Sequence, residues 1–392
     1  MLMARIALAC LVALSLAACS APPETPPNTT PAASPKPAVS GVSSLVSAAD
    51  RAAASSSPTA SSSTQTAVPS PAVARPSPSP TRVADLAQIK PNEVGDIIVL
   101  EYHHIGDEEL RWTRHHDNFR KDLQLLYDRG YRIIGVHDYL DNQIKVPAGK
   151  RTIMMTFDDS NESQFRYLKR NDGTLQIDPD CAVGILEEFY KKHPDFGRGV
   201  GFSVLPKADP PNRFFNQPEY TAQKVKFLID NGYELLNHTW YHVTLGDVSD
   251  KVVVEQVANG VKGIQEFAPG YKVRVLTLPL GSHPKNLSVA LRGTFEGVEY
   301  HHEAVLDVSG GNAVAPDHRA LELTKIPRIQ AIQSELDRYL AYYERIPQEY
   351  YVSDGNPDTV TFPAALAKDF RPKSAYRELA SPSAEYKSYR IR

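Results

Sequence analysis

Cysteine is almost missing from this 392-residue chain, which carries only Cys10, Cys19 and Cys181. Cys10 lies within an apolar N-terminal stretch and Cys19 at its end. Cys181 is left without a partner, so no disulfide framework is available to hold a fold together. Aromatic residues are missing before Tyr102, and residues 20–92 are almost entirely Ala, Ser, Thr and Pro. Such a composition buries too little apolar area to offset the ordering of the backbone, which excludes a packed core there. A charge excess is lacking too: the formal net charge is -3, which argues against a nucleic-acid partner. The apolar N-terminal run covers roughly a dozen residues and is too short to span a bilayer comfortably.

The opening "MLMARIALACLVALSLAACS" has a basic start at Arg5, the apolar run, and small residues before Cys19. This is the anatomy of a secretory signal. Its end, "LAAC" from Leu16 to Cys19, resembles the lipobox of bacterial lipoproteins, which implies a signal over residues 1–18 and lipidation of Cys19. An ordinary signal with a stray cysteine is the alternative. Residues 19–92 then form a flexible tether with a root-mean-square reach of about 45–50 Å. Residues 93–372 form a folded domain, and the basic, polar stretch 373–392 is expected to be a disordered tail. The expected location is extracytoplasmic, with a monomer lipid-anchored to a bacterial membrane.

From Asp96 onward strands and helices alternate. "DIIVLEYHHIG", "RTIMMTFDD", "GVGFSVLP", "YELLNH", "VRVLTLP" and "EAVLDVSG" read as strands. "DNFRKDLQLLYDRG", "CAVGILEEFYKKH", "AQKVKFLIDNG", "VVVEQVANGVKGIQEFA" and "QSELDRYLAYYERI" read as helices. Over a domain of about 270 residues this rhythm predicts an α/β barrel of parallel strands, with functional groups at the strand C-termini.

One strand ends in two adjacent acids, Asp158 and Asp159. Neighbouring side chains on a strand point to opposite faces, so one acid would enter the core unless the chain bends there. His238 and His242 in "NHTWYH" follow another strand at a spacing of four. Extended, they would stand about 13 Å apart; in one helical turn, about 6 Å. The helical turn lets both imidazoles and Asp159 share a divalent metal and leaves Asp158 as a base. An ordinary surface histidine pair is the alternative.

"TFDDS" followed by "HTWYH" resembles the first two motifs of the polysaccharide deacetylase family, the NodB-homology or carbohydrate esterase family 4 domain. The resemblance runs from His103 to Arg328 and implies a distorted (β/α) barrel of about seven parallel strands. It implies Asp158 as catalytic base, with Asp159, His238 and His242 as ligands of a divalent metal, usually Zn2+. Two family features are missing. "LTLPLG" has Thr277 where the family has an arginine that orients the base, and "KIPRIQ" has Arg328 where a late histidine commonly serves as acid. Arg328 either replaces the missing arginine or makes a structural salt bridge.

A subset of the family carries a Tyr-His pair on its first strand, similar to Tyr102 and His103, which implies His103 as proton donor. A buried, hydrogen-bonded strand residue is the alternative. Pro279 and Leu280 are expected to line the site, with the Leu280 backbone N–H serving the oxyanion. Asp307 in "DVS" resembles part of a fourth family motif but, without that motif's later partners, reads as a strand end, and the connection 161–180 reads as a loop that shapes access or is simply solvated. The implied activity is metal-dependent removal of N-acetyl groups from amino sugars of an envelope or extracellular polysaccharide. The alternatives are a catalytically impaired glycan-binding lipoprotein on the same fold, or a related metal hydrolase acting on O-acetyl esters or non-sugar amides.

Overall fold

The computed structural model describes residues 86–372, 376–379 and 384–391. The signal, Cys19 and most of the tether lie outside them. Seven strands of the central sheet close into a ring: β1 (Asp96–Tyr102), β2 (Arg151–Phe157), β3 (Gly201–Val204), β4 (Glu234–Asn237), β5 (Val275–Thr277), β6 (Ala304–Gly310) and β7 (Ile326–Gln330). Each pairs in parallel with the next, and β1 closes the ring by pairing with both β2 and β7. β1 and β2 are buried along all but their first residues, as parallel strands covered on both faces must be.

The expected barrel is therefore present, and its seventh strand is the one the sequence concealed. Pro327 lies inside it, and a proline normally argues against a position in a hydrogen-bonded ladder.

The outer layer holds α1 (His116–Asp128), α2 (Ala182–Lys192), α3 (Thr221–Asp230), α4 (Asp250–Phe267) and α5 (Gln333–Arg345). α1 buries Phe119, Leu123 and Leu126 at helical spacing. Among the described residues no helix is long and apolar enough to cross a membrane. α4 approaches the end of β4 so closely that a Cβ on Gly260 would collide with Asn237 Oδ1. Gly260→Ala should therefore destabilise the fold. Helix propensity gains about 1 kcal/mol, but overpacking of this kind costs about 1–3 kcal/mol. A lower thermal midpoint is expected, and a raised one would contradict the packing argument.

The expectation of a disordered tail over 373–392 is corrected where the chain is described. Tyr376–Glu378 and Tyr386–Ile391 join Thr359–Pro363 in an antiparallel sheet. The rings of Phe362, Phe370, Tyr376 and Tyr389 pack together there, beside Val94 and Val360. Tyrosines spaced among charged residues supplied an apolar face that the overall polarity masked. Leu86–Ile89 likewise forms a helical turn within the stretch expected to be tether.

Candidate active site

β2 stops at Phe157, and the Asp158 N–H donates to the Tyr102 carbonyl at 2.9 Å, the last tie to β1. Asp159 (φ 74) and Ser160 (φ 44) then take left-handed backbone conformations. The bend separates the two acids, sending Asp158 toward the barrel interior and Asp159 toward the histidines. Gln164 donates to the carbonyls of Asp158 (2.5 Å) and His103 (2.8 Å). The connection after β2 thus pins two strand ends together.

The helical turn expected at 238–242 does not form, since Thr239 (φ 72) and His242 (φ 62) are left-handed. Asn237 Oδ1 accepts from the Thr239 N–H at 2.9 Å, and Thr239 Oγ1 accepts from the His242 N–H at 3.1 Å. These side chains offer the backbone a local alternative to the helix. The two rings still meet, with centroids 4.9 Å apart. His238 Nε2 and His242 Nε2 stand 3.4 Å and 3.3 Å from Asp159 Oδ1.

His238 Nδ1 donates to the Thr277 carbonyl at 3.0 Å, with Thr277 Oγ1 also at 2.9 Å. That contact leaves Nε2 as the free ligand atom, the usual device for orienting a metal-binding imidazole. Two imidazoles and one carboxylate whose ligand atoms lie within 4.8 Å of one another fit a divalent metal with open positions.

Arg328, wholly buried on β7, grips Asp158 with both ends of its guanidinium, Nη1 to Oδ1 at 2.8 Å and Nη2 to Oδ2 at 2.6 Å. Nη1 also donates to Thr156 Oγ1 at 3.1 Å and Nε to the Asp307 carbonyl at 2.5 Å. This fork fixes the carboxylate plane. Of the two readings of Arg328, the fork supports the orienting one, with the arginine supplied from β7 rather than β5. Burial works to raise the Asp158 pKa, but the Arg328 charge prevails and holds it well below the usual carboxylate range.

Alternation along β1 turns Tyr102 outward, where its hydroxyl donates to Asp122 Oδ2 on α1 at 3.0 Å. His103 is close to Asp158 and Glu101, with its Nε2 3.6 Å from Glu101 Oε1. Its ring packs against Trp112 at a centroid distance of 4.6 Å, and burial pushes its pKa down to about 4. Glu101 escaped the sequence reading, although an acid within the apolar run "DIIVLEY" was a signal. Both its oxygens are buried without a hydrogen-bond partner. Burial pushes its pKa up to about 8 against the pull of Arg328, whose Nε lies 3.7 Å from Oε2.

Beyond β5, Pro279–Gly281 makes a single tight turn in which Pro279 is buried and Leu280 is 68% exposed. Among the described residues the Leu280 N–H has no acceptor. Two residues after the turn, His283 Nε2 sits 2.7 Å from Asp307 Oδ1. Nothing in the sequence marks His283, and the strand-end reading of Asp307 does not point to it. Two other histidines, His115 and His302, serve the fold: His115 caps α1 by accepting from the Asp117 N–H, and His302 is buried with Nδ1 on the Ala290 carbonyl.

A family model described as polysaccharide deacetylase matches residues 201–294. Solved structures similar to this chain include the Streptococcus pyogenes deacetylase PplD in complex with acetate, at 18% identity over 63% of this chain and 98% of that one, with a TM-score of 0.46. IcaB from Ammonifex degensii is similar at 17% identity over 63% and 97%, with a TM-score of 0.47. A polysaccharide deacetylase from Bacillus cereus is similar at 15% identity over 63% and 69%, with a TM-score of 0.46. No curated protein matches the chain.

Proposed function

We propose that the chain, whose residues 201–294 match a family model described as polysaccharide deacetylase, hydrolyses N-acetyl groups on amino sugars of an envelope or extracellular polysaccharide. The observation that carries this reading is the placement of Asp158, clamped by Arg328, one residue before the Asp159 that meets His238 and His242. A divalent metal such as zinc, held by Asp159, His238 and His242, would polarise the acetyl carbonyl and acidify a water to a pKa of about 7.

Asp158, kept ionised by Arg328, takes the proton of the attacking water. Arg328 holds the carboxylate in one orientation. The unpaired Leu280 N–H is available to the oxyanion. Exposed Trp112 and Tyr241 offer apolar faces of the kind that sugar rings stack upon. The resemblance gives proton donation to His103, yet a buried imidazole with a pKa of about 4 is a poor donor near neutrality. The signal-like N-terminus and Cys19 support an extracytoplasmic, lipid-anchored enzyme.

Purified protein should hold about one divalent metal per chain and release acetate from N-acetylated chito-oligosaccharides or poly-N-acetylglucosamine. Chelation should lower that release by at least about 100-fold, and zinc should restore it. Protein that neither binds metal nor releases acetate would overturn this reading and favour the catalytically impaired, glycan-binding alternative. Release from acetylated xylan alone would shift the substrate to O-acetyl esters.

A further inference from the structure

Two histidines outside the metal cluster lie near its supporting residues: His103, deep in the barrel, and His283, nearer the surface. His283 follows the turn after β5, and Asp307 follows Leu306 on β6, whose register partner is Thr277. The His283 and Asp307 side chains are 31% and 20% exposed, against 13% for His103. Among the described residues His283 Nδ1 has no hydrogen-bond partner, so it is the ring atom left to meet a substrate.

Two hydrogen bonds tie this pair to the site. The Asp307 carbonyl accepts from Arg328 Nε, and the other nitrogens of that arginine grip Asp158. Ser282 Oγ accepts from the Gly246 N–H at 3.1 Å, on the loop that follows His242. Gly246 also lacks the Cβ that would press on Ser282 Oγ and the His283 carbonyl.

We propose that the His283–Asp307 dyad donates the proton to the leaving amine, an assignment that rests on the deacetylase reading above. Water adds to the acetyl carbon and gives its proton to Asp158. The carbon–nitrogen bond then breaks with its electron pair on nitrogen, and that nitrogen takes the proton of His283 Nδ1. The Nε2–H stays on Asp307, whose carboxylate balances the imidazolium before transfer. Acetic acid, which loses its remaining proton to solvent as acetate, and the free amine leave; Asp158 returns its proton to solvent, and His283 takes one up. In this arrangement a histidine from the β5 loop does the work of the late histidine whose place Arg328 occupies.

The test compares His283→Gln and His103→Gln on an N-acetylated chito-oligosaccharide and on 4-nitrophenyl acetate, whose leaving group departs without protonation. His283→Gln should lose about 100-fold or more in kcat on the amide and less than about 3-fold on the ester, with metal content unchanged. Asp307→Asn should move the same ratio in the same direction by less. The assignment is overturned if His283→Gln keeps its amide activity, if both substrates suffer equally, or if only His103→Gln shows the selective loss. A wild-type protein that cleaves the ester but frees no acetate from the amide would sink the deacetylase reading, and this assignment with it.

Discussion

Arg328→Met should lower the unfolding free energy at pH 7 by about 3–5 kcal/mol and abolish acetate release at the same time. Methionine approximates the length of the arginine but replaces none of its four donated hydrogen bonds. It also leaves Asp158 and Glu101 together in a dry interior with no cation between them. Removing one partner of a buried pair costs far more than the pair itself contributes, because the remaining charge has lost water and gained nothing.

The sign of the pH dependence follows from Asp158, whose pKa is lowered in the folded protein. Its stabilising contribution is full above the unfolded value of about 4 and declines as pH falls below it. The gap between wild type and variant, measured by urea titration, should therefore narrow below about pH 4. Adding Asp158→Asn to Arg328→Met should recover part of the loss, with a coupling above about 1 kcal/mol. A loss for Arg328→Met of less than about 1 kcal/mol at pH 7 would reduce the pair to the worth of an exposed ion pair and remove the case for Arg328 as the group that holds the base.

The elements legible in the sequence were those whose pattern is contained within one segment. The apolar runs of β1 and β2, the helical spacing of Phe119, Leu123 and Leu126, and the acidic pair at a strand end all announce themselves locally. What stayed hidden depends on which segments become neighbours. Arg328 in "KIPRIQ" reads equally as an orienting or a structural arginine until β7 closes the barrel beside β1, which brings it to Asp158, 170 positions away. His283, in the loop after β5, and Asp307, on β6, lie 24 positions apart, and nothing in either segment names the other. The turn at His238 departs from the expected helix for a different reason. A spacing of four between the two histidines counts backbone geometry, whereas the outcome was decided by the side chains of Asn237 and Thr239, which bond the backbone and keep it out of the helix.

Asp158→Asn and Asp159→Asn differ by one position, and they should fail in different ways. Asp158→Asn should reduce acetate release by about 100- to 10,000-fold, the range for loss of a positioned general base, while the metal stays bound. Asp159→Asn should release the metal, with a weakening beyond the about 10- to 100-fold that follows loss of a ligand's supporting partner. The stability effects also differ from that of Arg328→Met. Asparagine at 158 still offers Oδ1 to Arg328 Nη1, and Glu101, 3.7 Å from Arg328 Nε, supplies an acidic group that can ionise to balance the guanidinium. A cost of about 1–3 kcal/mol is expected, that of one mispaired buried polar contact, well short of the arginine variant. Metal titration beside the acetate assay separates the cases. If Asp158→Asn sheds metal as readily as Asp159→Asn, then the two carboxylates act as one ligand set, and the base must be sought elsewhere.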